Sequence, residues 1–237
     1  MDSNFEKIAT ETEGREGLYS ATRSDPGNWT SGIVGVGRLA GTMRGISAPV
    51  MAHWLGSAEL VTPQIMRGIT HATFLTIARA LYWRTLNCAA LGPGLSRMLF
   101  DFGFNSGVSR AGRQLQHIVG LSDSLVDGDI GPRTLAAVVA VSAPTVAPLV
   151  SPAWGQKLQQ DLGVSPDGAL GPVTMAAVAR QANAGAVTRV LIYALASAQE
   201  QAYRSFRGFD EYGHGWLARL DWRVSRALSD LDGAVSA

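Results

Sequence analysis

The feature that narrows the fold most is an internal repeat. Asp127-Gly128-Asp129-Ile130-Gly131-Pro132-Arg133-Thr134-Leu135-Ala136-Ala137-Val138 returns as Asp167-Gly168-Ala169-Leu170-Gly171-Pro172-Val173-Thr174-Met175-Ala176-Ala177-Val178. Each copy follows a Leu-Gln pair, Leu115-Gln116 and Leu158-Gln159. Asp-Gly is a turn signal, because glycine takes up a positive φ without a Cβ clash. Gly-Pro ahead of Thr and an apolar run opens a helix, since proline at the first helical position lacks only an N–H that has no partner there. The predicted unit is helix, Asp-Gly turn, second helix, occurring at 127–138 and 167–178, with residues 144–152 as a linker between the copies.

Other parts of the chain read as helix as well. Residues 4–16 favour a helix capped by Ser3 or Asn4, with Glu16 in its last turn and Gly17 as a left-handed stop. A Thr70 cap leads into a helix reaching Tyr82-Trp83, and Leu95, Met98, Leu99 and Phe102 make one apolar stripe that Gly107 closes. Two amphipathic helices follow the second repeat, roughly 187–206 and 216–231. Residues 17–48, dense in glycine and carrying Asp25-Pro26-Gly27-Asn28, predict turns and short irregular or β segments. Little strand signal follows residue 50, so the expected class is mainly α.

Composition excludes several roles. The chain has 237 residues, which is enough to bury a core without disulfides or metal, and Cys88 is its single cysteine. A net charge of +1 with scattered basic residues gives no electrostatic footprint for nucleic acid. The stretch 135–150 is too short and too interrupted by Ser142, Pro144, Thr145 and Pro148 for stable membrane insertion. His53, His71, His117 and His214 are isolated, without metal-ligand spacing, and no nucleophile elbow or phosphate loop occurs. No metal or cofactor is expected.

The chemistry that fits is carried by carboxylates. Glycosidic hydrolysis needs one carboxylic acid to protonate the leaving oxygen and a second carboxylate to activate water or stabilise the cationic sugar. Glu16, at the end of a predicted helix, and Asp25, in a polar turn, are the candidates. Glu11 and Glu13 lie further from the helix end and are expected on a solvated face.

Glu16-Gly17-Leu18-Tyr19, Asp25-Pro26-Gly27-Asn28 and Gly41-Thr42-Met43-Arg44-Gly45-Ile46-Ser47 come in an order that resembles the glycoside hydrolase family 108 N-acetylmuramidases. Further matches are Tyr82-Trp83, residues 100–107, the element at Asp127 and Gly215-Trp216-Leu217-Ala218-Arg219. The resemblance implies a lysozyme-like helical catalytic domain with a small irregular or β segment over 1–108. A helical peptidoglycan-binding domain over 109–237 would follow. Glu16 matches the catalytic glutamate, with Asp25 and Thr42 completing the set. Tyr19, Trp29, Tyr82, Asp101 and Asn105 are candidate substrate contacts. Asp127, Gly128, Gly131, Asp167, Gly168 and Gly171 mark the peptidoglycan-binding module.

Two departures matter: Leu18 stands where the family has glycine, and about a dozen extra residues, 29–40, separate the Asp25 turn from Thr42. That insertion either moves Asp25 out of the site or brings Trp29 in as a sugar platform. The expected activity is cleavage of the β-1,4 bond between N-acetylmuramic acid and N-acetylglucosamine, with inversion. The alternative is a non-catalytic wall-binding or virion structural protein of the same shape. The partner is peptidoglycan. The N-terminus does not read as a signal peptide, so synthesis in the cytoplasm followed by release through a holin or a secretion machine, to act in the periplasm or wall, is the expectation.

Overall fold

The computed structural model describes residues 3–181 and 184–235. It is mainly helical, and among the described residues pairing of strand type is confined to isolated bridges. By packing, the chain forms two compact units, Met1–Tyr82 and Trp83–Ala237. The motif-bearing stretch 1–108 therefore runs past the first unit into the second.

The first unit holds α1 (Ser3–Glu13), α2 (Ala48–Leu55), α3 (Pro63–Arg67) and α4 (His71–Ala78), with irregular chain between α1 and α2. Phe5, Ile8, Ala9 and Thr12 sit on one face of α1 and are fully buried. Thr62 caps α3 and Thr70 caps α4, each hydroxyl accepting the N–H three residues on. A π-helical turn, Arg79–Trp83, follows α4.

α1 is shorter than its sequence suggests. It stops at Glu13, and Arg15 and Glu16 bond back to Thr12 and Glu13 with tighter spacing, so Glu16 lies beyond the helix. Gly17 is not among the residues of positive φ, so no left-handed cap forms there. The tertiary partners of Glu13, described below, hold the helix end and override the local preference to continue.

The second unit holds α5 (Pro93–Ser106), α6 (Val108–Ile118), α7 (Pro132–Ala140), α8 (Ala143–Val146), α9 (Pro152–Asp161), α10 (Pro172–Arg180), α11 (Ala184–Ser205) and α12 (Phe209–Val235). Helix α5 is buried from Gly94 to Phe104, packed among α6, α11 and α12. Close approach demands Gly94, where a Cβ would stand 2.9 Å from the Ala227 carbonyl of α12. Cys88 is also buried.

Residues 144–152 do not form the expected linker. They include most of α8 and a 3-10 turn, Ala147–Leu149, whose Val146 and Ala147 are buried. Helix α12 starts at Phe209 rather than near Trp216, because Phe209, Tyr212 and Trp216 pack as a ring cluster across its first turns and outweigh the local cost of Gly213 and Gly215. No single helix among the described residues is long and apolar enough to cross a membrane.

Candidate active site

The chain leaving α1 is fixed within a few residues of Glu16. Ser20 and Thr42 exchange both backbone hydrogen bonds, Ser20 N–H to Thr42 O at 2.9 Å and Thr42 N–H to Ser20 O at 2.8 Å. Tyr19 donates its hydroxyl to the Ala40 carbonyl at 3.0 Å, and the Arg67 guanidinium lies 4.3 Å from its ring centre. Its ring also covers Gly41, where any Cβ would come within 2.5 Å of Cε2. The glycine before Thr42 is therefore required, and Tyr19 acts as a clamp on the segment carrying Thr42.

Asp25 and Thr42 meet at one residue. Asp25 Oδ1 accepts the Gly27 N–H at 2.8 Å, and Thr42 Oγ1 donates to the Gly27 carbonyl at 3.3 Å. The two side chains thus flank a single peptide segment. Asp25 is exposed and Thr42 half-buried.

The insertion does not drive them apart. Trp29 bridges Leu39, Thr30 N–H donates to Arg38 O, and both Ala40 and Gly41 donate to Asn28 O, so residues 29–40 leave and return at nearly the same point. Its tip carries the exposed side chains Ile33, Val34 and Val36. Trp29 is half-buried, its indole N–H donating to Arg23 O at 2.9 Å, which pins the ring to the Asp25 turn.

Tyr82, in the π-helical turn, is buried and belongs to this group. Its phenol is pushed up to about 12, first by burial and then by the negative charge of Glu16. Near neutrality it therefore stays an O–H donor beside that half-buried glutamate. π-Helical turns recur at functional sites because the extra residue re-aims a side chain.

Glu13 departs from the expectation of a solvated face. Only 9% exposed, it accepts from Arg44 Nη1 through Oε1 and from His71 Nδ1 through Oε2, each at 2.5 Å. Its sequence signal was weak: an arginine in a two-residue turn and a histidine at a helix start, both remote along the chain.

Asp101 and Asn105 belong to the second unit. Asp101 is fully buried and accepts from Arg219 Nη2 at 2.8 Å and Arg223 Nε at 2.7 Å. Burial alone would raise its pKa, but the two guanidiniums outweigh it and hold the carboxyl well below the usual range. Arg223 also donates to Gln199 and Tyr203, so Asp101 joins α5, α11 and α12 instead of facing solvent. Asn105 is exposed and accepts from Tyr203 Oη at 3.4 Å.

Within the repeats the polar groups common to both copies are used internally. Gln116 Nε2 donates to Asp127 Oδ1, Asp129 O and Thr134 Oγ1, while its Oε1 accepts the Gly128 N–H. Gln159 does the same with Asp167, Ala169, Thr174 and Gly168. Gly128 and Gly168 have positive φ, and Gly131 and Gly171 cap the proline-started helices α7 and α10. Elsewhere in this unit an open groove of about 1010 Å³ lies between α6, residues 148–152 and α11. Ala194, Ala198 and Ala202 leave it unfilled, and Arg110, His117 and Arg204 stand on its sides. Among the described residues, no group of three or more His, Cys, Asp or Glu is placed to hold a metal.

In this small helical unit the chain past the end of α1, the Asp25 turn and the segment bearing Thr42 are tied together by hydrogen bonds. Residues 9–107 match the family model for glycosyl hydrolase 108. Along almost its whole length the chain follows the solved structure of Brucella abortus SagA, with a TM-score of 0.65 and 24% identity, covering 98% of this chain and 97% of that one. That likeness speaks to the fold. No curated protein matches the chain.

Proposed function

We propose that this protein is a peptidoglycan hydrolase that cleaves the β-1,4 bond between N-acetylmuramic acid and N-acetylglucosamine. The observation that carries the reading is the lacing of the chain after Glu16 to Thr42, and of Thr42 to the Asp25 turn through Gly27. The Asp25 and Thr42 side chains share Gly27, and the backbone of Thr42 pairs with Ser20, four residues after Glu16. The family of residues 9–107 supports the class of reaction.

Glu16, in its acid form, gives its proton to the glycosidic oxygen as the bond from that oxygen to C1 of the muramic residue breaks. Water adds to C1, and Asp25 takes the proton that the water gives up. Thr42, beside Asp25 at Gly27, orients that water. A water between sugar and carboxylate calls for inversion, with the two carboxyl groups about 6.5–9.5 Å apart. Tyr82 stays protonated and donates toward the charge left on Glu16. Polymer is held by the second unit. Because Gln116 and Gln159 saturate the Asp-Gly turns, the contact surface falls to the groove beside α11, which is lined mostly by apolar surface, with Arg110, His117, Glu200 and Arg204 around it.

Glu16→Gln tests the assignment. It should lower release of new reducing ends from purified peptidoglycan about 10²- to 10⁴-fold, with sedimentation on insoluble wall unchanged. Wild-type release by that variant would reject Glu16 as the acid. Wall binding by the unaltered protein without any release would favour a non-catalytic role. Proton NMR of the first product anomer then reads inversion against retention.

A further inference from the structure

Glu13 is the last residue of α1, and it is tied in two ways. Its side chain is buried with one oxygen on Arg44 and the other on His71, and its backbone carbonyl accepts the Glu16 N–H at 2.9 Å. Glu16, the proposed acid, therefore hangs from the residue that this ion cluster anchors.

Arg44 occupies an unusual position for its type. Met43 and Ile46 exchange both backbone hydrogen bonds, at 3.0 and 2.9 Å, around Arg44 and Gly45, whose φ values are +53° and +76°. Two successive positive φ angles define a type I′ turn, whose first central position favours Asn, Asp or Gly because other side chains are strained there. An arginine held in that conformation needs a compensating contact, and strain of this kind gathers at functional sites. The contact is with Glu13, supplemented by Arg44 Nε donating to Ile69 O at 3.0 Å.

Thr42 stands two residues before Arg44 and is bonded to Ser20, four residues after Glu16. A closed circuit results: Glu16 to Glu13, Glu13 to Arg44, Arg44 along the turn to Thr42, Thr42 to Ser20, and Ser20 back along the chain to Glu16. Without the Glu13–Arg44 link the circuit opens, and the turn bearing Thr42 can shift against the end of α1. Buried ion pairs add little net stability compared with apolar packing, so their contribution here is to geometry.

We propose that Glu13, through Arg44, is a positioning residue that sets Glu16 relative to Thr42 for the hydrolysis. The inference rests on Glu16 being the acid. Arg44→Asn is the informative variant, because asparagine suits the turn while the bonds to Glu13 and to the Ile69 carbonyl are lost. Glu13→Gln, which keeps the Ile69 bond, separates the two. On soluble uncross-linked peptidoglycan strands Arg44→Asn should keep KM near the wild-type value and lower kcat about 10- to 100-fold, the loss expected from a displacement near 1 Å. Its melting temperature should fall, because the buried Glu13 carboxylate loses a cation, so kcat is read well below that midpoint. Glu13→Gln, which removes the charge, should show the same split between kcat and KM, and Glu13→Asp should recover part of the rate. In a Glu16→Gln background, Arg44→Asn should add no further loss. Wild-type kcat in both Arg44→Asn and Glu13→Gln, alongside an inactive Glu16→Gln, overturns the positioning role and leaves the acid assignment standing. An active Glu16→Gln overturns both.

Discussion

Gln116 and Gln159 stand at the same place in the two repeats and make the same four hydrogen bonds. In each case the amide N–H₂ reaches the Asp carboxylate, the next carbonyl but one and the Thr hydroxyl, and the amide oxygen receives the Gly N–H. The repeated residues are thereby explained: Asp, Gly and Thr are those a buried glutamine needs around it. Gln116→Ala or Gln159→Ala leaves the buried Gly128 or Gly168 N–H without its acceptor. Each substitution should lower unfolding free energy by about 1–3 kcal/mol in urea titration.

The helix before each turn is pressed against it through a glycine. A Cβ on Gly112 would lie 2.0 Å from the Gly128 carbonyl oxygen, and one on Gly155 would lie 2.7 Å from that of Gly168. Neither obstacle is a flexible side chain, so backbone must move. Both Gly→Ala changes should destabilise by about 1–3 kcal/mol, and Gly112→Ala should be the worse. Equal midpoints for the two variants would contradict this reading of the packing.

Asp101 carries a pH signature. Its ordinary pKa is about 3.9, and in the fold Arg223 and Arg219 hold it lower despite burial. Stability from this group is therefore complete above about pH 4 and is lost as pH falls toward the lowered value. Asp101→Asn leaves two guanidiniums without their carboxylate and should cost about 3–5 kcal/mol at neutral pH. The variant's thermal midpoint should also depend less on pH below 4 than the wild type's does.

Tyr82 gives the opposite limb. Its phenol ionises near 10 when exposed and at about 12 in the fold. The folded state binds the proton more tightly, so this contribution is complete below about pH 10 and is lost as pH rises toward 12. Tyr82→Phe should flatten the alkaline fall in the melting temperature. Ultraviolet titration of the wild type should show one phenolate forming late, earlier once Glu16→Gln removes the neighbouring charge. Unchanged titration in Glu16→Gln would count against their proximity.

Much of this could be read along the chain because its causes lie a few residues apart. The Thr70 cap, the Gly-Pro starts of α7 and α10, the Gly107 stop and the Asp-Gly turns are set by local backbone sterics and hydrogen bonding. The mainly helical class follows from apolar spacing. Motif order points to Asp25 beside Thr42, but the path of the insertion between them depends on the Trp29–Leu39 bridge, which the local sequence does not specify.

Other outcomes hang on partners far away in sequence. Asp101 looked like a polar residue on a helix face, yet its cations lie at 219 and 223, on another helix. Glu13 looked solvated, and its burial depends on Arg44 and His71. The end of α1, and with it the station of Glu16, was shifted by that same cluster. Short-range preferences amount to fractions of a kcal/mol per residue, whereas a buried charge left alone costs several. Wherever the two compete, the distant partner prevails, and no window of neighbouring residues contains it.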